Sequence, residues 1–166
     1  MARYSATYSS VTTAALADTV AATNATYPGS LRSGGATLMY RINEVEAAGE
    51  SSASTAICPL ILARASTISV GALSVGNNAL MDFNATAPGT VPSWGNTAAT
   101  SGAQRSSTLY LLQLSLNAFG GISRWQARVG EEITGFGNTA TGAEVLLSQK
   151  GGAASIISGH MIYEVV

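Results

Sequence analysis

Charge is what this chain has least of: Asp, Glu, Lys and Arg make up 10% of its 166 residues, against roughly 25% in an ordinary soluble domain. A surface so poor in charge is covered by Ser, Thr, Asn, Gly and Ala, which suit tight protein contacts better than solitary solubility. The formal net charge of -1 supplies too little basic field for general binding to nucleic acid. Lys150 is the only lysine; the other basic residues are arginines, the better cation for planar, partly buried pairing at protein contacts. No apolar run is long enough to cross a membrane, and Met1 to Tyr8 lacks the apolar core of a secretory signal, so synthesis in a cytoplasm is expected.

Single copies of two residue types exclude further chemistry. Cys58 is the only cysteine, which rules out an internal disulfide and a cysteine zinc cluster. Between Ile57 and Pro59, with no cation beside it, it reads as a small buried hydrophobe. His160 is the only histidine, so no site of several imidazoles can form, and any triad would hang on this one ring. Glu164 shares its strand face, yet four residues along a strand span about 13 Å, too far for a direct pair. A structural histidine is expected. Glu44 and Glu46 share one face of a presumed strand, while adjacent Glu131 and Glu132 point to opposite faces, so no general acid and base couple is evident. The glycine-rich pieces lack the spacing of phosphate-binding loops and are turns. We expect no enzyme activity, no cofactor and no metal.

What the chain does have is a series of short runs in which apolar and polar residues alternate, separated by Gly, Asn, Ser and Pro. Ala36 to Ala47 places Leu38, Tyr40 and Ile42 on one face, with Val45 out of phase, as a bulge after Ile42 would produce. Ile57 to Ala65 is nearly continuous in apolar residues, and Thr67 to Val75 follows. Thr108 to Asn117 puts Tyr110, Leu112, Leu114 and Leu116 on one face; Phe119-Gly120-Gly121 then turns into Ile122 to Val129, predicting a hairpin. Glu131 to Thr134, Ala143 to Ser148 and Ala154 to Val166 supply further strands, with turns at Gly135-Phe136-Gly137-Asn138 and Lys150-Gly151-Gly152. The alanines of Val11 to Thr23 allow one short helix. Asn77 to Ser107 reads as one long loop around Trp94. Roughly eight strands predict an all-β, antiparallel, jelly-roll-like sandwich over residues 36–166, preceded by a flexible N-terminal arm over residues 1–35.

The charges that exist gather around Tyr40 to Glu50 and Arg124 to Glu132, leaving neutral Ala/Thr/Gly segments as expected contact surfaces. Arg124, Arg128 and Arg105 are the candidate interface cations, with Glu131 and Glu132 as acidic partners from a neighbouring subunit and the Trp94 loop as a further contact.

Several stretches together carry a resemblance: the opening Met-Ala-Arg-Tyr-Ser-Ala-Thr, the strand Tyr40-Arg41-Ile42-Asn43-Glu44-Val45, and Leu62-Ala63-Arg64-Ala65. The loop Thr86 to Trp94, the hairpin ending in Trp125, and the closing His160-Met161-Ile162-Tyr163-Glu164 complete it. In arrangement and composition the chain resembles small β-sandwich virion proteins of tailed bacteriophages, of the capsid decoration or cement type. The resemblance implies a homo-oligomer, often a trimer, seated on the major capsid protein outside an icosahedral head, with no direct contact to nucleic acid or membrane. A shell-forming jelly-roll capsid protein and a carbohydrate-binding or adhesion module of a virion fibre are the alternatives.

Overall fold

The computed structural model describes residues 2–13, 28–51, 57–65, 78–82, 93–95, 105–137 and 143–166. Their strands are β1 (Ala2–Thr13), β2 (Gly29–Arg32), β3 (Met39–Gly49), β4 (Ile57–Ala65), β5 (Asn78–Leu80) and β6 (Ser93–Gly95). They continue as β7 (Arg105–Asn117), β8 (Ile122–Gln126), β9 (Ile133–Phe136), β10 (Val145–Gln149) and β11 (Ser155–Val165). A first sheet runs β5-β1-β11-β3-β8, with β9 also on β3, and a second runs β6-β2-β10-β4-β7. Every pairing is antiparallel. The all-β antiparallel sandwich expected from the alternating runs is the fold.

The core lies between the sheets. Tyr4, Tyr8, Tyr40, Ile42, Val45, Met161 and Tyr163 enter from the first; Leu31, Cys58, Leu60, Leu62, Leu114, Leu116, Val145 and Leu147 enter from the second. The middle of β4 is apolar on both faces because both are buried there: Ile61 and Ala63 alternate with the core residues and are as inaccessible as they are, while Ile57 at the strand's start is exposed. Cys58 is buried, and burial pushes its thiol up, out of the reactive range.

The bulge in β3 falls where the phase slip placed it. Ile162 opposes Glu44 and Tyr163 opposes Ile42, so Asn43 is the extra residue. Tyr40 and Ile42 before it, and Val45 and Ala47 after it, all reach the core. Beyond the bulge β3 pairs with β8, and before it with β9. The chain crosses at the bulge itself, where the Ala127 N–H donates to the Asn43 carbonyl at 2.8 Å.

Several expectations are corrected. Of the arm expected over residues 1–35, Ala2–Thr13 is a strand between β5 and β11, and Gly29–Arg32 is a strand between β6 and β10. Ala2, Tyr4, Ala6, Tyr8, Val11 and Leu31 belong to the same core as the rest, so no domain boundary falls at residue 35. The residues of Val11 to Thr23 that are described, Val11 to Thr13, extend β1 and form no helix; the remainder, like Thr67 to Val75, lies outside the described residues. The expected Asn77 to Ser107 loop contains two short edge strands, β5 and β6, and β7 begins within it.

The expected hairpin is an arch. Asn117 to Gly121 turns tightly, with the Gly121 N–H on the Asn117 carbonyl at 2.8 Å, but β7 pairs with β4 and β8 with β3. Crossing between sheets lets Leu114 and Leu116 meet the core from one side and Trp125 from the other, which a hairpin within one sheet cannot do. The strand after the arch ends at Gln126, three residues earlier than expected. Gly135 and Phe136, expected in a turn, close β9: the Tyr40 ring lies across Gly135, where a Cβ would sit 2.1 Å from its Cζ. Gly137, at φ 72°, makes the turn instead.

The Lys150-Gly151-Gly152 turn forms as expected and is held from below. Gln149, 1% exposed, donates its amide to the carbonyls of Gly151 at 2.8 Å and Ala153 at 2.7 Å, while its oxygen accepts the Thr13 hydroxyl. Gln149→Ala leaves these groups unmet and should cost about 2 kcal/mol. A lowered urea midpoint at unchanged m is the expected result; an unmoved midpoint counts against the clamp.

Candidate functional site

Glu44, Glu46, Arg124 and His160 meet on the outer face of the first sheet. His160 on β11 stands opposite Glu46 on β3, and Glu46 opposite Arg124 on β8. Glu44, two residues from Glu46 and just past the bulge, points out on the same face. Arg124 donates through Nη2 to Glu44 Oε2 at 2.7 Å, and its Nε lies 3.8 Å from Glu46 Oε2. His160 Nε2 lies 2.9 Å from Glu44 Oε1; facing an ionised carboxylate, which only accepts, this nitrogen carries the proton. Its Nδ1 is 4.0 Å from Glu46 Oε1.

Glu44 is the buried member, its side chain 7% exposed against 31% for Glu46, 27% for His160 and 52% for Arg124. The Arg124 hydrogen bond holds the Glu44 carboxyl below the ordinary carboxylate range against the opposing push of burial, and the His160 hydrogen bond lowers it further. One row along the sheet, Glu164 stands in register between Arg3 and Arg41. Arg3, Arg41 and Arg124 thus alternate with Glu44, Glu46 and Glu164 across this face, with Glu50 further along the same row as Glu44 and Glu46. Beside the network a cavity of about 210 Å³ opens at the bulge, lined in part by Asn43, Glu44, Gln126 and Glu132. Asn43 Nδ2 is buried there with no hydrogen-bond partner among the described residues.

A group whose pKa is depressed by folding stabilises the fold at pH values above its ordinary one, here 4.5, and that contribution disappears as pH falls through the depressed value. Urea midpoints measured in chelator-containing buffer should therefore drop on acidification below that point. Glu44→Gln should cost on the order of 1 kcal/mol at neutral pH and flatten the acid limb; an identical acid limb in the variant counts against this role.

The residues singled out from the sequence do not all converge here. Arg124 is in the network, but its partner is Glu44 of its own chain. Arg128 lies beyond β8 in an exposed turn, its carbonyl accepting the Glu131 N–H at 2.9 Å. Glu131 is exposed, and Glu132 accepts the Gly130 N–H at 3.1 Å, a turn contact. Arg128 thus shares no strand face with Arg124. The backbones of Trp94 and Arg105 stand opposite Leu31 and Ala65; their side chains lie outside the described residues.

His160 does meet a carboxylate, though not Glu164. The partner comes from the neighbouring strand, and only the pairing of β11 with β3 identifies it. That Glu44 and Glu46 share a face was legible; which histidine they face was not. Glu44, Glu46 and His160 each offer a metal-ligand atom, all within 4.8 Å of one another. The ionic contacts tie three strands, β3, β8 and β11, together on this face.

Fold and site define a two-sheet antiparallel sandwich with an ionic network on one outer face. Comparisons with protein-family models, with curated proteins and with solved structures gave no match.

Proposed function

We propose that this chain is a non-enzymatic structural protein of a virion, in the first place a capsid decoration or cement protein that associates with its own copies on a phage head. The observation that carries the reading is strand order. With the short strands β5, β6 and β9 set aside, β1-β11-β3-β8 faces β2-β10-β4-β7, and the chain passes from sheet to sheet at each step from β1 through β4, from β7 to β8, and from β10 to β11. We read this order as the winding of an eight-stranded jelly roll, an architecture that virion shells use repeatedly. The low charge of the chain supports dense contact with identical neighbours.

Decoration would act by mass action. A trimer that binds only the assembled lattice, across junctions between major capsid subunits, stabilises the shell against heat and internal pressure. The contact surfaces in this reading are the neutral segments, the Trp94 strand with Arg105, and the exposed turn carrying Arg128, Glu131 and Glu132. The protein would be made in the host cytoplasm and reside in the capsid, touching neither nucleic acid nor membrane. The same strand order favours a second reading, in which the chain itself builds the shell.

Native mass measurement, followed by co-sedimentation with empty heads and electron microscopy of the protein alone, separates these. Small oligomers that sediment with heads support decoration; closed particles formed without heads support the shell-forming reading. A monomer that does neither overturns both.

A further inference from the structure

We infer that Glu44, Glu46 and His160 form a binding site for one divalent transition-metal ion of the zinc type. The inference is independent of the virion reading. It rests on the donor set, the spacing and an unmet carboxylate.

One imidazole with two carboxylates is a mixed nitrogen and oxygen set of the kind zinc accepts, whereas calcium and magnesium prefer six or more oxygens. His160 Nε2 and Glu44 Oε1 stand 2.9 Å apart, and two ligand atoms on a tetrahedral zinc are about 3.4 Å apart at ordinary bond lengths. Opening this contact by a few tenths of an ångström admits an ion in place of the Nε2 proton, which leaves to solvent. Glu46 supplies the third ligand. It makes no side-chain hydrogen bond among the described residues, with Arg124 Nε 3.8 Å and His160 Nδ1 4.0 Å away. With its side chain 31% exposed, it is free to rotate toward the ion.

Arg124 does not block such a site. Its guanidinium holds Glu44 through Oε2 and leaves Oε1 toward His160, which is how a hydrogen-bonded outer partner orients a ligating carboxylate. Two carboxylates against one guanidinium leave a charge of -1 around a neutral ring, favourable to a dication. All three ligands stand on adjacent strands inside one sheet, β3 and β11, so little of the site must be ordered on binding. The partial exposure of His160 and Glu46 leaves the fourth position to water.

The test uses the full chain, freed of metal by chelator and titrated with zinc chloride near neutral pH. Calorimetry should give one site per chain with a dissociation constant in the micromolar range. Because His160 is the only histidine, a long-range proton–nitrogen spectrum contains a single imidazole, and its Nε2 resonance should move to a metal-bound position. Glu46→Gln, at a partly exposed position, should weaken zinc roughly tenfold or more and His160→Gln should abolish the site, with circular dichroism confirming that each variant is folded. No binding at millimolar zinc overturns the proposal. So does binding that survives both substitutions, or an imidazole signal that zinc leaves in place. Calcium bound as tightly as zinc, and unaffected by His160→Gln, would identify acidic surface alone and equally overturn it.

Discussion

A chain that begins at residue 14 should fail to fold. Removing Ala2–Thr13 takes out the strand between β5 and β11 and with it five core residues, Ala2, Tyr4, Ala6, Tyr8 and Val11. Tyr4 stacks on Tyr163 across the ladder, ring centroids 5.5 Å apart and planes 17° from parallel. Tyr8 runs under the sheet to donate its hydroxyl to the Glu46 carbonyl at 2.7 Å. Truncating one large buried aromatic costs about 3–5 kcal/mol, and two of them already rival the 5–15 kcal/mol by which a domain is stable at all. The deletion also bares one edge of β11, an eleven-residue strand, as a template for aggregation. Thermal melts followed by circular dichroism should show no cooperative transition in the truncated chain. A cooperative melt close to that of the full chain would restore the flexible arm and remove β1 from the core. The expected loss also means that this truncation cannot probe shell binding; point changes in exposed turns must do that.

The strand that the arm reading passed over carried its own signal. Ala2, Tyr4, Ala6 and Tyr8 alternate with polar residues at period two, and Val11 and Thr13 resume the pattern after a one-residue slip, which the structure realises as a bulge with Ser10 at φ 50°. Alanine at two of those positions, Ala2 and Ala6, disguised it, because small residues score poorly as core until their neighbours' tyrosines are seen to fill the space. The slip in β3 was legible for the opposite reason: Tyr40, Ile42, Val45 and Ala47 are unambiguous, so the odd residue between them stood out. Sheet membership was not legible at Gly120. A tight turn between two β-rich runs has the same local chemistry in a hairpin and in an arch, and the choice is made by whether Leu114 and Trp125 share a sheet or face each other across a core.

The ionic network shows the same division. Outward positions of β3 and β8 are fixed by alternation, so that Glu44, Glu46 and Arg124 lie on solvent-side faces follows from sequence once the bulge is placed. Their convergence with His160 follows from β11 lying next to β3, which is a property of winding order over more than a hundred residues of separation. Scarce charge makes the placement more telling. Seven of the chain's seventeen charged residues, Arg3, Arg41, Arg124, Glu44, Glu46, Glu50 and Glu164, occupy one sheet face.

Gly159→Ala should be among the most damaging single substitutions in the chain, although it adds one methyl group. Gly159 pairs with Tyr8 across the β1 and β11 ladder. A Cβ there would lie 2.0 Å from the Glu46 carbonyl oxygen, 2.5 Å from the Tyr8 hydroxyl and 2.8 Å from its Cζ. The φ of Gly159 is not positive, so the obstacle is space and not backbone conformation. Overpacking a core commonly costs about 1–3 kcal/mol when side chains can move aside; here the nearest atom is backbone, and relief requires β11 to part from β3 or β1. A loss above about 3 kcal/mol is expected, enough to lower the melting temperature by roughly 6 °C or more at this chain length. Gly130 gives the control. It has φ 86° with open space around a Cβ, so Gly130→Ala should cost only about 1 kcal/mol from backbone strain. Adding Tyr8→Phe to Gly159→Ala should not restore stability, because the Glu46 carbonyl remains in the way. Full recovery in that double variant would assign the clash to the tyrosine hydroxyl alone, and a single variant melting within a degree of the parent would show that the sheet opens there without cost.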